Sequence, residues 1–334
     1  MTDNVKIMFE VETLVNASPA TVSRAGIIYV SDTELDWAPV IESWVRKQPE
    51  KMRDIIRNLI TRWIGTCTPT DPGNCFSFLS KNTKEVMNDG RVGKITSFIQ
   101  LFESLSISKG NALAEDSQEA SLYIERLFIY CMCWSIAALL EADDRAKFDK
   151  WLRDQDLNRA MPIVEDGETI YEYFIDHNTF NWKKWVPPAW EYPLGDKLDF
   201  SNLLVPTMNS TRALYVIKQI YGIKAYVLIL GAEGTAKTSV QLMFLSTQNP
   251  DQMLTKRINF SSATTSGMAQ YSIEAELDKR GGKTFGPPNG KEMTIFFDDL
   301  SMPEVNKWGD QTTLELVRLT IEQGGFYFLS SGLS

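Results

Sequence analysis

The sequence predicts an α/β fold with a parallel sheet in its C-terminal part and a helical subdomain ahead of it. From residue 198 onward, short apolar runs typical of strands alternate with helical patterns, which favours a parallel sheet with crossover helices. Between residues 38 and 156, apolar residues recur at helical spacing instead. A third observation is the run "AYVLILGAEGTAKTSVQ" at residues 225–241, in which an apolar strand enters a glycine-rich loop that opens a helix.

Length and charge narrow the class of protein. The chain has 334 residues, enough for two domains, and a net charge of −9. This acidic balance argues against non-specific binding to nucleic acid or anionic lipid, because both need a basic surface. The longest apolar stretch, Leu127–Leu140, is shorter than the ~20 residues of a membrane span, so we expect a buried core helix. The first residues lack the pattern of a secretory signal.

Cysteine and histidine usage excludes several kinds of site. Four cysteines are too few for a disulfide framework in a chain of this length, and we expect reduced intracellular thiols at Cys67, Cys75, Cys131 and Cys133. The single histidine, His177, is predicted to be an ordinary surface or capping residue. A zinc site or a histidine-based triad is therefore not expected.

The elements up to residue 193 follow from periodicity and composition. Weak alternation of apolar residues predicts a strand at 6–11. A short helix is predicted at 12–24, with a break at Ser18-Pro19. The run "IIYV" at 27–30 predicts a buried strand. Helices follow from 38 to 156, with an apolar face predicted at Ile41, Trp44, Val45, Met52, Ile55, Ile56, Leu59 and Ile60. Residues 161–193 are rich in tryptophan and proline, which predicts a connector packed on a surface or an irregular hairpin. Its tryptophans are predicted to be packing anchors rather than a ligand cage.

In the α/β part, predicted helices alternate with predicted strands, and two glycines mark the end of the last helix. Helices are predicted at 210–220, 237–245, 268–279 and 310–323, and strands at 225–230, 256–262 and 293–299. Gly324 and Gly325 provide the left-handed stop of the last helix.

The glycine-rich loop resembles the pattern G-x-x-x-x-G-K-[ST], which surrounds phosphate groups with backbone amides. In that pattern the lysine reaches the outer phosphates and the hydroxyl residue binds Mg²⁺. The candidate nucleotide-binding residues are Gly231, Ala232, Glu233, Gly234, Thr235, Ala236, Lys237 and Thr238. Ala236 stands where the pattern has glycine, and its methyl group is expected to be tolerated if this residue has a negative φ.

A second motif favours a nucleoside-triphosphate site over a glycine-rich turn without function. The run "TIFFDD" ends a predicted strand with Asp298 and Asp299. A carboxylate at this end of a neighbouring strand orients Mg²⁺ in such folds, so Asp298 and Thr238 are the candidate metal ligands. Asp299 is the candidate catalytic carboxylate, but it is one methylene shorter than the glutamate of many AAA+ ATPases. Because small misplacements can cost about a hundredfold in rate, binding is better supported than hydrolysis.

The motif blocks resemble a known family. "GAEGTAKT", "INFSSATT", "FGPPNGKEMTIFFDDLSMPEVNKWGDQTTLELVR" and "GGFY" are similar to the third AAA+ module of an axonemal dynein heavy chain, and "IMFEVETLVNASPATVSRAGIIYV" resembles the end of the second module. The resemblance implies a truncated AAA+ P-loop sheet preceded by a helical lid and by the last strand region of the previous module. It divides the chain into the end of the second large subdomain at 1–36, a small lid at 37–158, a connector at 159–197 and a truncated third large subdomain at 198–334.

The resemblance also implies roles for single residues. Arg24 in "PATVSR" resembles the arginine finger that reaches the site of the preceding module, and Asn4 resembles a polar sensor. Val205 lies in "LLVPT", which resembles the segment near the adenine. Thr264 is a weaker candidate for the site, and Trp308 is expected to pack its loop.

Function follows as an expectation from the same resemblance. It implies ATP or ADP and Mg²⁺ as ligands, and a place in a motor ring that moves along microtubules in the axoneme of a cilium or flagellum, within the cytoplasm and cytoskeleton. The partners implied are the other AAA+ modules of the same heavy chain, the dynein intermediate and light chains, and microtubules, with no nucleic acid and no membrane. Two alternatives stay open: a regulatory module that binds nucleotide without hydrolysis, and another AAA+ remodelling ATPase. The isolated chain is expected to be inactive, with exposed sheet edges.

Overall fold

The computed structural model describes residues 8–11, 14–15, 17–24, 26–30, 36–66, 68, 73–107, 118–191, 203–282 and 284–326. The α-helices are α1 Pro19–Val22, α2 Trp37–Lys47, α3 Glu50–Leu59, α4 Asn74–Asn82, α5 Arg91–Ile107, α6 Gln118–Cys131, α7 Ala142–Gln155, α8 Met208–Gly222, α9 Lys237–Ser246, α10 Ser266–Glu274 and α11 Thr312–Gln323. The strands are β1 Tyr173–Asp176, β2 Asn181–Lys184, β3 Met253–Asn259, β4 Asp278–Gly281, β5 Thr284–Gly286 and β6 Glu292–Asp298.

Helices α2 to α7 form a helical body around one apolar core. The side chain of Asp36 accepts a hydrogen bond from the Trp37 amide and caps α2, whose buried face carries Ile41, Trp44 and Val45 as predicted. Two helices continue as π-helical turns, at Ile60–Ile64 after α3 and at Met132–Ile136 after α6. Leu127–Leu140, the stretch predicted as a core helix, is largely buried, although it changes to π-helical geometry at Met132–Ile136.

A buried carboxylate ties three parts of the helical body together. Glu125 on α6 accepts hydrogen bonds from Arg62 Nη1 at 2.5 Å, Trp63 Nε1 at 3.1 Å and Asn158 Nδ2 at 2.9 Å. A buried charge is costly unless it is paired and hydrogen-bonded. These three donors satisfy Glu125 and fix α6 against the π-helical turn at Ile60–Ile64.

The connector after α7 packs on the helical body through an antiparallel hairpin. Strands β1 and β2 pair with Tyr173 opposite Lys184 and Asp176 opposite Asn181. Trp185, which follows β2, is buried and stacks on Phe174 with ring centroids 4.3 Å apart. The hairpin and the packing role of this tryptophan agree with the prediction.

His177 lies in the turn of this hairpin and is more than a surface residue. It is partly buried, its Nδ1 is 2.9 Å from the Tyr123 hydroxyl on α6, and its Nε2 is 3.1 Å from the Tyr215 hydroxyl on α8. Burial raises the pKa of Tyr123 to about 12, so its hydroxyl stays protonated at neutral pH. The surface prediction is wrong because three separate elements meet at this imidazole.

The α/β part is built on the parallel pair β3–β6, in which Asn259 lies opposite Asp298. One face carries Ile258 and Phe297, which pack with α10 and α11. On the other face the Tyr221 hydroxyl of α8 lies 2.8 Å from Thr294 Oγ1, while Val240 and Phe244 of α9 pack on α8. Helices on both faces of a parallel pair are the arrangement predicted for this part of the chain.

Three predicted elements differ from the structure. Residues 225–230 form no strand and pair with no other strand among the described residues, and Leu228 is 67% exposed. Residues 27–30 form no strand, and Ile28 is 88% exposed rather than buried. The helix predicted at 268–279 ends at Glu274, and residues 278–281 form β4, which pairs with β5 in a second hairpin. Apolar composition predicts strand propensity, but a ladder also needs a partner.

The predicted strand at 6–11 and helix at 12–24 lie partly outside the described residues. Residues 8–11 are exposed and form no strand, and the predicted helix is reduced to α1. Three cysteines in the described ranges are buried free thiols, Cys75, Cys131 and Cys133, and burial raises the pKa of each. Cys67 lies outside the described residues. Within those residues, no helix has both the length and the apolar content needed to cross a membrane.

Candidate nucleotide site

The glycine-rich loop leads directly into α9. This helix begins at Lys237, and Ala236 at its N-cap has no side chain that could accept a hydrogen bond from the first-turn amides. The first amides of a helix have no acceptor inside the helix, and the helix dipole makes this end attractive to anions. The start of α9 therefore presents unused amide donors beside the lysine of the motif.

Ala236 adopts the left-handed conformation, with φ 61° and ψ 25°. The condition under which its methyl group was expected to be tolerated, a negative φ, is therefore not met. A β-carbon in this region meets the following carbonyl oxygen and costs roughly 1–2 kcal/mol. The loop keeps the backbone shape that glycine usually provides, although alanine occupies the position.

Ala236→Gly is expected to raise the free energy of unfolding of the α/β part by about 0.5–1 kcal/mol. Glycine relieves the left-handed strain, and part of this gain is lost because the unfolded chain becomes more flexible. Urea unfolding followed by circular dichroism measures the change. Ala232→Gly is the matched control, since the φ of Ala232 is not in the left-handed region, and it should destabilise. Equal shifts for both variants would show that strain at residue 236 is not the cause.

The loop is held closed by its own side chains. Lys237 Nζ donates to the Ala232 carbonyl at 2.6 Å, and Thr235 Oγ1 donates to the same carbonyl at 2.8 Å. A β-carbon at Gly231 would lie 2.8 Å from Thr235 Oγ1, and Gly234 has φ 73°. At Gly231 a larger residue would collide with Thr235, and at Gly234 it would have to adopt a left-handed backbone that is unfavourable for side chains other than glycine. Lys237 points into the loop.

The two predicted metal ligands lie together. Thr238 Oγ1 on the first turn of α9 is 3.3 Å from Asp298 Oδ1 at the end of β6. A hydroxyl and a carboxylate are ligands that Mg²⁺ accepts, and this ion is usually held by one or two protein groups together with substrate phosphates. The described residues contain no cluster of three acidic, cysteine or histidine side chains. The donor set therefore fits Mg²⁺ that arrives with a nucleotide rather than a metal centre formed by protein alone.

Asp298 has a further partner that sequence reasoning missed. Arg257 Nη2 on β3 lies 2.6 Å from Asp298 Oδ2, and the Arg257 guanidinium lies 5.7 Å from the centre of the Phe296 ring. The register places Arg257 opposite Phe296, two residues before Asp298, so all three side chains share one face. The available signal was a charged residue in β3 with its side chain on the same face as Asp298, a relation that depends on the register of the two strands.

Asp299 lies one residue beyond β6 and is exposed, with φ 55°. The turn that contains it is closed by a hydrogen bond from the Met302 amide to the Asp299 carbonyl at 3.0 Å. Aspartate and asparagine tolerate the left-handed region better than other side chains except glycine. The backbone at this position therefore favours the shorter acidic residue over glutamate.

The remaining candidates lie apart from the loop in sequence and are not joined to it by these contacts. Arg24 Nη1 donates to the Ala20 carbonyl of α1 at 2.7 Å and is exposed. Its role as an arginine finger concerns the site of another module and stays a prediction. Val205 lies just before α8, is 47% exposed and stays a predicted adenine contact. Asn4 lies outside the described residues.

Two further residues lie in the loops after the strands, and the place of Thr264 in the site stays a prediction. Thr264 Oγ1 accepts from the Ser261 amide at 2.9 Å and so closes the turn after β3. Trp308 is 72% exposed, and within its loop its ring contacts the neighbouring Lys307, whose Nζ lies 4.9 Å from the ring centre, so it packs the loop less than expected. The loop is instead held by Asn306, whose side chain accepts from the amides of Trp308 and Asp310.

A separate cavity of about 440 Å³ lies at the other end of the β3–β6 pair, lined by residues that include Gln248, Met253 and Glu292. Asp298 and the loop lie at the C-terminal ends of the strands, where parallel α/β sheets bind their ligands. The cavity is therefore not the candidate nucleotide site.

Comparison with known proteins identifies the two parts of the chain. Residues 192–332 match the family of the P-loop containing dynein motor region, and residues 72–186 match the dynein heavy chain AAA lid domain. These matches confirm the predicted fold class, an AAA+ P-loop α/β fold preceded by a helical lid.

Individual relatives align along nearly the whole chain. It is 39% identical to "Dynein gamma chain, flagellar outer arm" of Chlamydomonas reinhardtii, over 98% of this chain and 7% of that protein. It is 37% identical to "Dynein axonemal heavy chain 5" of Mus musculus and 34% identical to "Dynein axonemal heavy chain 8" of Homo sapiens, with the same coverage of 98% and 7%. The chain thus spans about 7% of the length of these relatives. Since the alignments include both the lid and the P-loop part, this chain belongs to the axonemal dynein heavy chains.

Proposed function

We propose that this chain is a nucleotide-binding segment of an axonemal dynein motor ring, and that it binds ATP or ADP together with Mg²⁺. In the complete heavy chain, this segment contributes to ATP-driven movement along microtubules in cilia or flagella. The observation that carries the proposal is the 3.3 Å approach of Thr238 Oγ1 to Asp298 Oδ1 at the start of α9, where the helix also presents its first-turn amides and Lys237.

Each group in the site has a distinct role in this proposal. The amides at the start of α9 and the Lys237 ammonium bind the phosphates, because both are donors with positive charge or partial charge. Thr238 and Asp298 would hold Mg²⁺, which when bound neutralises phosphate charge. Val205 would contact the adenine. Asp299 would orient the attacking water in any hydrolysis step, and Arg24 would act at the site of the preceding module.

Calorimetry with ATP and MgCl₂ tests the binding role of Lys237. Lys237→Ala is expected to weaken binding by at least about tenfold, because one charge-assisted contact to phosphate is worth roughly 1.5–3 kcal/mol. Lys218→Ala removes an exposed lysine from α8 and serves as the matched control, with affinity close to that of the unaltered chain. Equal affinity for all three proteins would refute the assignment of the loop.

A second candidate function is a regulatory module that binds nucleotide without hydrolysing it. The observation that favours it is Asp299, since its shorter side chain stands where many AAA+ ATPases have glutamate and its backbone is held at φ 55°. Single-turnover hydrolysis measured at this site in a full-length heavy chain separates the two functions.

The partners and location of the whole protein are part of the same proposal. They are the other AAA+ modules of the heavy chain, the intermediate and light chains, and microtubules, in the axoneme within the cytoskeleton. Residues 8–11 and 27–30 expose apolar side chains such as Phe9 and Ile28, which suits contact with the rest of such a ring. Co-purification of a tagged heavy chain with axonemal doublets is the corresponding test.

A further inference from the structure

Arg257 holds one oxygen of the carboxylate that is proposed to face the metal. Its Nη2 lies 2.6 Å from Asp298 Oδ2, while Oδ1 of the same carboxylate faces Thr238 Oγ1 at 3.3 Å. Thr238 Oγ1 also lies 3.5 Å from Oδ2, so the Asp298 carboxylate is shared between a cation on β3 and a hydroxyl on α9.

The surroundings make this ion pair stronger than an ordinary surface pair. The Asp298 side chain is 15% exposed and that of Arg257 is 40% exposed, so the carboxylate is the more buried partner and the neighbouring cation offsets part of its desolvation. The stacking of the Arg257 guanidinium over the Phe296 ring holds it in place. Lys237, the other cation of the site, donates to the Ala232 carbonyl instead, so Arg257 is the cation that this structure places on Asp298.

We propose that Arg257 is a positioning residue and counter-ion that competes with Mg²⁺ for Asp298. It neutralises the carboxylate when no metal is bound and has to give up or share this contact when Mg²⁺ arrives with nucleotide. The site then requires a higher magnesium concentration than it would without the arginine. This inference rests on the proposed nucleotide-binding function.

The test is a magnesium titration at fixed ATP concentration, with calorimetry or a fluorescent ATP analogue as the readout on the whole 334-residue chain. Arg257→Gln is expected to lower the half-saturating Mg²⁺ concentration by roughly three- to tenfold, because Arg257 is 40% exposed and solvent screens most of its charge. Arg257→Lys keeps the charge and should stay within about twofold of the unaltered chain. Circular dichroism verifies that each variant is folded.

A double-mutant cycle shows whether the effect passes through the carboxylate. In an Asp298→Asn background, Arg257→Gln is expected to leave the half-saturating Mg²⁺ concentration unchanged, because no carboxylate remains for the arginine to hold. The inference is supported if Arg257→Gln lowers the half-saturating Mg²⁺ concentration in the unaltered chain but not in the Asp298→Asn background. The inference is overturned if Arg257→Gln leaves the half-saturating Mg²⁺ concentration of the otherwise unaltered chain unchanged or raises it. It is also overturned if the concentration falls equally in both backgrounds. In either case the proposed ATP binding still stands. Absence of magnesium-dependent ATP binding in the unaltered chain would overturn the proposed function and this inference together.

Discussion

Asp298→Ala is expected to weaken magnesium-dependent nucleotide binding by about 10- to 100-fold in a full-length heavy chain that carries this segment. The reason is the loss of the carboxylate that lies beside Thr238, and losses of this order accompany removal of groups that hold or orient a metal. Asp299→Asn is expected to leave affinity unchanged and to slow hydrolysis, since the exposed Asp299 side chain lies beyond the metal ligands. Equilibrium binding and single-turnover hydrolysis, measured with hydrolysis at the other modules disabled, give the two quantities.

Asp299→Glu extends the test in the opposite direction. The longer side chain should restore the reach to the attacking water and raise turnover at this site, or change how the site gates the ring. The left-handed φ at residue 299 offsets part of this gain, by about 1 kcal/mol, because glutamate tolerates that conformation less well than aspartate. Asp299→Asn is the matched control, since asparagine also tolerates this backbone. If substitutions at both positions reduce affinity alike and none alters hydrolysis, the division of roles is wrong.

Trp63→Ala should destabilise the helical body by about 3–5 kcal/mol. The Trp63 side chain is fully buried, and truncation leaves a large cavity in addition to the lost transfer free energy. It also removes the indole donor 3.1 Å from Glu125 and so weakens the support of a buried charge. The free energy of unfolding is read from urea denaturation by circular dichroism.

Two further variants separate the causes of this loss. Trp63→Phe keeps most of the ring but not the N–H group, and should cost about 1–3 kcal/mol. Trp308→Ala removes an exposed tryptophan and should change stability by less than about 0.5 kcal/mol. A loss at Trp63 no larger than the loss at Trp308 would contradict the packing described for the π-helical turn.

Local patterns predicted much of the fold because they act within one element. The buried face of α2, the start of α9, strand β6 and the end of α11 at Gly324 all depend on spacing and on residues next to each other in sequence. The motif also predicted the pairing of Thr238 with Asp298. The structure of residues 225–230 was harder to predict, because their apolar side chains are typical of a strand but a β-strand also requires a partner strand.

The errors at the candidate site have a common physical origin. The left-handed backbone at Ala236 and Asp299 depends on how the loop closes in three dimensions, and neither residue type demands it. The Arg257–Asp298 ion pair joins two strands that are distant in sequence, so its existence depends on their register. His177 likewise bonds to residues on α6 and α8 that no local pattern relates to it.

The contacts of Tyr215 fix α8 in place, whereas the chain between α8 and α9 has fewer such contacts and would become ordered when a nucleotide binds. Tyr215 fastens α8 to the connector through His177, which also contacts Tyr123 of α6, and through the Trp185 ring, whose centroid lies 5.2 Å away. The chain between α8 and α9 is mostly exposed, so its amides should open to solvent at a lower local free energy than those of α8. The conformational entropy lost on binding would then come from residues 225–236. A nucleotide would thus protect the amides of residues 225–236 from hydrogen exchange more than those of α8, which already packs against the core of the helical body.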